Sequence, residues 1–243
     1  MVDGKRIVET KNAYDCAEFV LGEPVRLKLE RKNVMPPTIY SKTLADILPR
    51  YISRSAVTLD LGCGSGFLAI LMAKLGAKKV IAVDINPKAI RLAKLNIKQN
   101  KLGGKVKTIV SDLYSKFNGE KFDLIISNPP FLPVSQNRVT KIVTDGRDVI
   151  DRLILDSKRF MRRDSFLIFT QSSLASLEKT VRLLKKEGFL YKIIKKQRLE
   201  FRECTYKHLN FVKRLEKQGL AKFFSKNNKY YEDLYVICAS KAG

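Results

Sequence analysis

The chain reads as a doubly wound α/β fold, a mostly parallel sheet with helices on its faces and an antiparallel final strand. Three observations predict it. From residue 56 to about residue 200, short apolar runs alternate with segments of helical period, and that alternation calls for right-handed crossovers and parallel pairing. A Gly-rich turn joins the first of these strands to the first of these helices. Acids stand at the ends of the next strands, Asp84 and Asp112, where open sheets of this kind bind ligands.

Residues 1–35 are mixed and charged and read as an N-terminal extension holding a hairpin; residues 36–243 read as the main domain. A Pro-Pro turn at Pro36 and Pro37 precedes Leu44, Ile47, Leu48 and Tyr51 at helical spacing, with Thr38 or Ser41 as the expected cap. Then come the strand "AVTLDL" (56–61), the helix "GFLAILMAKLGA" (66–77) and the strand "KVIAVDI" (79–85). The helix "NPKAIRLAKLNIKQN" (86–100) follows, with Asn86 as its cap and Pro87 in its first turn. "KVKTIVSDL" and "FDLIISN" are strands, and 145–161 is a helix. "SFLIFTQSS" is a strand, "LASLEKTVRLLKKEGF" a helix, "LYKIIKKQRLEF" a strand and "EDLYVICASK" (232–241) the last strand. The final two strands lack a full crossover helix; a basic, aromatic-bearing helical insertion, 202–231, lies between them.

Composition narrows the function. Forty-seven Lys and Arg against 24 Asp and Glu give a net charge of +23, which points to a polyanionic setting such as RNA or the ribosome. The four cysteines are scattered without CxxC spacing, so neither a metal site nor a disulfide framework is expected. A single histidine, His208, argues against Ser-His or Cys-His catalysis. No run is long enough for a membrane span and the start carries no apolar signal segment, so a cytoplasmic protein without membrane contact is expected.

"LDLGCGSGFLAIL" spaces Gly62, Gly64 and Gly66 as GxGxG. A third glycine at 67 would complete the dinucleotide fingerprint, but Phe67 stands there. Such a turn still lets backbone approach a ligand and aims helix amides at a carboxylate. Asp84 is placed to accept from both hydroxyls of a ribose, Asp112 to accept from an adenine amine, and Asp60 lies just before the loop. A ligand with carboxylate, ribose and adenine but no pyrophosphate is S-adenosylmethionine.

"VTLDLGCGSG", "VDINPKAI", "SDL" and "FDLIISNPPF" together resemble the ordered motifs of class I S-adenosylmethionine-dependent methyltransferases, in the Asn-Pro-Pro-Tyr/Phe subgroup that includes HemK-like enzymes. The resemblance spans residues 36 to about 200 and the last strand. It implies a Rossmann-like methyltransferase sheet and cofactor contacts from Asp60, Gly62, Gly64, Gly66, Asp84, Asp112, Leu113 and Asn128.

The Asn-Pro-Pro-Phe corner has a chemical logic. The lone pair of an amide or aromatic amine is delocalised, so the enzyme must bias that nitrogen toward tetrahedral geometry and align it with the methyl group. The Asn128 side-chain oxygen and the Pro129 carbonyl can each accept one N–H, and both bind more strongly as charge develops. The prolines pre-aim these acceptors, and Phe131 offers a stacking face.

Two acceptor classes stay open. One is a glutamine side chain of a translation factor: "DGRDVIDRLILDSKRFM" resembles the Gly-containing helix start that follows the motif in HemK-like enzymes. The other is an exocyclic amine of adenine or guanine in RNA. Phe131 in place of the usual Tyr favours it, as does the insertion's Lys207, Lys213, Arg214, Lys217 and Lys222 among Phe211, Phe223 and Phe224. A third reading is a methyltransferase-like RNA-binding protein without turnover.

Overall fold

The structure, a computed structural model, describes residues 8–10, 16–21, 23–135 and 144–241, with side chains from residue 24 onward. Parts of the expected extension (1–7, 11–15, 22) and of the stretch between the motif and Asp145 (136–143) lie outside the described residues. The chain divides into two compact units, Met1–Asn128 with Phe160–Ser165, and Pro129–Arg159 with Phe166–Gly243.

The first unit begins with β1 (Val8–Thr10), β2 (Cys16–Leu21) and β3 (Glu23–Lys28), a three-stranded antiparallel sheet. Helix α1 (Ile39–Ile47) follows, then β4 (Val57–Leu61), α2 (Phe67–Lys74), β5 (Lys79–Asp84), α3 (Pro87–Gln99), β6 (Val106–Val110) and β7 (Phe122–Ser127). Strands β7, β4, β5 and β6 lie side by side in that order, all parallel. The parallel core expected from the alternating pattern is therefore present.

The elements follow from their residues. Four of the five β4 positions are buried, as a strand covered on both faces requires. Helix α2 buries every residue from Phe67 to Ala73, so it is sequestered on all sides. Asn86 caps α3 as expected, its side chain accepting the Lys88 amide at 3.0 Å, with Pro87 in the first turn. Helix α3 is amphipathic: Ala89, Ile90, Leu92, Ala93 and Ile97 turn inward.

Among those inward residues stands one polar group, Asn96, fully buried. Its Oδ1 accepts the Lys28 amide at 2.7 Å, and its Nδ2 donates to the Lys28 carbonyl at 3.1 Å and the Ser65 carbonyl at 2.8 Å. One side chain thus satisfies backbone groups of β3 and of the glycine loop. Asn100 extends the tie, accepting from the Arg26 amide at 3.2 Å and donating to its carbonyl at 2.7 Å.

The second unit contains α4 (Asp148–Ser157), β8 (Met161–Ser172, from Phe166 onward), α5 (Leu177–Lys186), β9 (Phe189–Glu200), α6 (Glu203–Tyr206), α7 (Leu209–Lys217), β10 (Phe224–Lys226) and β11 (Lys229–Lys241). Strand β11 is its spine, antiparallel to β8, β9 and β10. The antiparallel final strand is borne out. Asn227 and Asn228 both take positive φ, +50° and +60°, which a two-residue hairpin loop between β10 and β11 demands.

Residues 202–231 differ from the base-stacking expectation. Phe201, Tyr206, Phe223 and Tyr230 meet at mostly edge-on angles, 5.6–6.0 Å between centroids, around buried Leu174 and Val212. Arg198 lies 3.6 Å over Phe224 and Arg214 5.5 Å over Phe211. The rings are engaged by the chain's own apolar groups and cations, and α7 seats Val212 and Leu215 inward.

Asn96→Ala strands three buried or half-buried backbone groups, each worth about 1–3 kcal/mol when unmatched. The expected loss of unfolding free energy is about 3 kcal/mol, measured by urea titration. A loss within error of zero would show that water replaces the amide.

Candidate active site

Strand β4 delivers the chain into a loop where Gly62, Gly64 and Gly66 have φ of +76°, +52° and +83°. The Val83 carbonyl accepts both the Gly62 and Cys63 amides at 2.9 Å, pinning the loop to the end of β5. At Gly66 a side chain is excluded twice over: by the positive φ, and because a Cβ would sit 3.2 Å from the Ala93 Cβ on α3. At Gly62 a Cβ would meet nothing within 4 Å, so this stretch of backbone faces open space. Gly66 N-caps α2 without any side-chain hydrogen bond, so the first-turn amides of that helix have no capping side chain.

Asp84 ends β5, half-buried. Its Oδ2 accepts the Gly64 amide and its Oδ1 the Asn86 amide, both at 2.9 Å. It therefore helps set both the glycine loop and the start of α3. A carboxylate oxygen has two lone pairs, so these bonds leave room for a diol on the same group. Ile85, the next residue, is 66% exposed, an apolar surface beside the acid.

After β6 the Ser111 amide donates to the Asp84 carbonyl at 3.0 Å, which places Asp112 beside the same strand end. The Ser111 hydroxyl donates to the Leu113 carbonyl at 2.9 Å and holds Leu113 at a φ of +46°. That conformation is unfavourable for a leucine and persists only where neighbours fix it.

Asp60 lies at the base of the loop, almost wholly buried, and neither carboxylate oxygen has a hydrogen-bond partner among the described residues. Burial pushes its carboxyl up to about 7; the Ala69 amide nearby, outside hydrogen-bonding geometry, opposes this and the Asp84 charge adds to it. Burial, with the Asp60 and Asp84 charges, also pushes the Cys63 thiol up. That rules against Cys63 as a thiolate nucleophile.

Strand β7 ends beside β4: the Ser127 hydroxyl donates to the Leu61 carbonyl at 2.8 Å. Asn128 follows, half-buried, and its Nδ2 donates to the Ser41 hydroxyl at 3.0 Å, 87 residues away in sequence. Of the two expected caps of α1, Thr38 takes the position but makes no side-chain bond, and Ser41 faces Asn128 instead. Asp60, Gly62, Gly64, Gly66, Asp84, Asp112, Leu113 and Asn128 all belong to the first unit.

In the second unit, Pro129 and Phe131 are buried. Gly146, at φ +82°, sits so close that a Cβ would fall 2.2 Å from the Phe131 carbonyl oxygen. Next to it, the buried Arg147 guanidinium donates to the Ala175 and Ser176 carbonyls at 2.6 and 2.8 Å and to the Thr180 hydroxyl at 2.7 Å, and pairs with Asp151. The glycine before α4 is thus a backbone contact that the arginine locks in place. His208 has its Nδ1 3.3 Å from the Ser135 hydroxyl. No group of three His, Cys, Asp or Glu among the described residues is arranged to hold a metal.

Sequence reasoning missed Ser41, Ile85 and Asn96. Ser41 carries no local signal, since its partner is distant in the chain. Ile85 was readable as an apolar residue after a strand-ending acid, and Asn96 as a polar residue on the apolar face of α3.

Residues 39–184 match the profile of the methyltransferase small domain family. The chain is 33% identical over 192 residues to a Methanocaldococcus jannaschii protein named as a candidate N5-glutamine methyltransferase, covering 74% of this chain and 93% of that one. It is 34% identical over 123 residues to the ribosomal protein uL3 glutamine methyltransferase of Francisella tularensis, covering 45% of this chain and 39% of that one. Among solved structures, the E. cuniculi Mtq2–Trm112 complex, named for methylation of the eRF1 termination factor, superposes with a TM-score of 0.58. The match is 21% identical over 86% of this chain and 99% of that one, a likeness of fold.

The proton on Asp60 makes stability depend on pH. The folded chain holds it to about 7, whereas the unfolded chain releases it near 3.8. Between those values the unfolded state binds fewer protons, so stability falls as pH rises and then levels off above about 7. Wild type should lose more stability between pH 5 and 8 than Asp60→Asn, by chemical denaturation without ligand. Parallel profiles for the two proteins would refute this.

Proposed function

This chain belongs to the methyltransferase small domain family, and on that premise we propose that it methylates the side-chain amide nitrogen of a glutamine in a cytoplasmic protein of the translation machinery. The observation that carries the reading is Asn128. Its carboxamide stands at the carboxyl end of β7, in the same unit as the glycine loop, with its nitrogen engaged by Ser41. That bond turns the amide so that Oδ1 is the acceptor for a substrate N–H. The named glutamine methyltransferases among the relatives support glutamine as that substrate.

The residues fit S-adenosylmethionine, the cofactor on which this family depends. The open face of Gly62 and the α2 amides suit its carboxylate, Asp84 its ribose, Ile85 and Asp112 with Leu113 its adenine. Asp60, a buried acid without a partner, ionises more readily when a cation is held above the loop. When bound, the cofactor supplies an electrophilic methyl group.

The chain's own groups do the rest. Asn128 Oδ1 accepts one N–H of the glutamine amide, and the Pro129 carbonyl the other. Both pull the nitrogen out of amide conjugation and strengthen their bonds as positive charge grows on it. With the cofactor bound, its methyl group would pass to the nitrogen these two acceptors hold, and the proton lost from that nitrogen would go to solvent. A nucleobase amine is the second reading, favoured by the net charge of +23.

The deciding experiment is transfer of a tritiated methyl group into fractionated extract, followed by protease or nuclease. Label lost to protease and recovered as N5-methylglutamine supports the proposal; label lost to nuclease overturns it. Asn128→Ala should lower kcat by about 10²–10³, the effect of removing one aimed transition-state partner. Cofactor affinity should stay within a few fold, and a parallel loss of affinity would make the residue structural. Ser41→Ala should lower kcat with little change in KM, and Ser41→Thr should restore most of it. Failure of the threonine to rescue would remove Ser41 from the positioning role. Asp84→Ala should weaken cofactor binding in calorimetry, and an unchanged Kd would sink the ribose assignment.

A further inference from the structure

A groove of about 830 Å³ lies at the amino ends of β5 and β6, within the first unit. Lys78 and Lys79 line it from the start of β5, and Lys94, Lys98 and Lys101 from α3 and the turn after it. Lys105 and Lys107 complete it from β6, beside the Gly103–Gly104 turn. No acid and no aromatic residue is among its lining. The glycine loop is at the other end of these strands, and six residues of β5 separate the two by about 17 Å.

The charge is not a scatter of solvated lysines. Between Asp84 and Asp112 the chain holds seven basic residues and no acid. Lys94 and Lys98 stand one turn apart on α3, where like charges at such spacing disfavour the helix by about 0.2–0.5 kcal/mol, and Lys101 follows in the turn after it. Elsewhere exposed bases find carboxylates: Arg162 with Asp123 at 2.8 Å, Lys207 with Glu203 at 2.8 Å, Lys229 with Glu200 at 3.0 Å. None of the groove lysines forms an ion pair among the described residues. Among the described residues no carboxylate supplies the compensating charge.

We propose that this groove binds the sugar-phosphate backbone of RNA. A protein partner would want apolar or aromatic anchors, but the apolar lining residues Ile97 and Val106 are buried in the core. A bilayer would want exposed apolar side chains to insert, and the lining has none. Repeated lysines are point charges suited to a run of phosphates whose bound counterions they release. RNA, rather than another polyanion, fits a chain whose relatives include enzymes named for ribosomal proteins. The groove goes beyond the glutamine reading: it concerns what the enzyme holds, not what it methylates.

The test is the salt dependence of binding of a fluorescein-labelled single-stranded RNA to the whole chain, by anisotropy. Each phosphate contact contributes about 0.7 to the slope of log K against log salt. Lys94→Gln/Lys98→Gln/Lys101→Gln should lower that slope by about 2 and weaken binding about a hundredfold at ~0.1 M salt. Lys185→Gln/Lys186→Gln/Lys226→Gln, with the same loss of charge elsewhere, should leave the slope unchanged. Lys105→Gln/Lys107→Gln provides a second groove variant should the first be misfolded by its melting curve. Equal losses in groove and control variants, or no loss in the groove variants, would overturn the proposal. So would tighter binding of polyglutamate, which marks an acidic protein as occupant, or equal binding of duplex DNA. Calorimetric binding of S-adenosylmethionine by the groove variants should match wild type, so a failed RNA test leaves the active-site reading intact.

Discussion

The first unit depends on one buried side chain. Asn96 is the polar residue on the apolar face of α3, and its amide reaches Lys28 on β3 and Ser65 in the glycine loop. A carboxamide suits this place because it offers one acceptor and two donors at a fixed angle. Leucine would fill the volume and leave the peptide groups unmatched, at a cost larger than its own hydrophobic gain. One turn back on the same helix, Ala93 is small enough for Gly66 to pass at contact distance. The amide and the methyl group together fix how closely the loop approaches the helix. That approach sets the height of Gly62 and Gly64 and, through the Gly64 amide, the carboxylate of Asp84.

The motif end is held by a comparable economy of parts. Asn128 is oriented from α1 through Ser41, while Phe131 is braced from behind by a glycine with no room for a side chain. Proline stiffness alone would fix the backbone but not the carboxamide rotation. The hydroxyl of Ser41 supplies that rotation, and Arg147 supplies the rigidity of the turn that carries Gly146. On the proposed reading these groups are pre-aimed acceptors, which help a reaction because they need not reorganise as charge develops.

Much of this was legible in the sequence, and the limits have a physical cause. The glycine turn, the Asn86 cap, the strand-ending acids and the antiparallel last strand are local signals, and each appears where expected. Ser41 was expected as a cap because a hydroxyl near a helix start usually serves one, but its partner is 87 residues on. The aromatics of the insertion looked free to stack bases, since sequence shows their spacing and neither the cluster around Phe201 that engages Phe223 nor the guanidinium groups over Phe224 and Phe211. The lysine face of α3 looked like an ordinary solvated side. Only the fold shows that Lys78, Lys79, Lys105 and Lys107 border the same groove.

The division of charge along β5 and β6 bears on the choice between acceptors. Acids stand at the carboxyl ends of these strands, and lysines line the groove at the amino ends. The separation of about 17 Å exceeds the screening length of ~8 Å at physiological salt, so a backbone held in the groove does not feel the acids. On the proposed readings, the RNA of the groove and the glutamine beside Asn128 are separate ligands of the first unit, and a ribonucleoprotein can supply both. Its RNA can rest in the lysine groove while an uncharged glutamine side chain, on a protein segment, enters beside the acids. On the two proposals together, an RNA handle accounts for the net charge of +23 without requiring RNA to be the methyl acceptor.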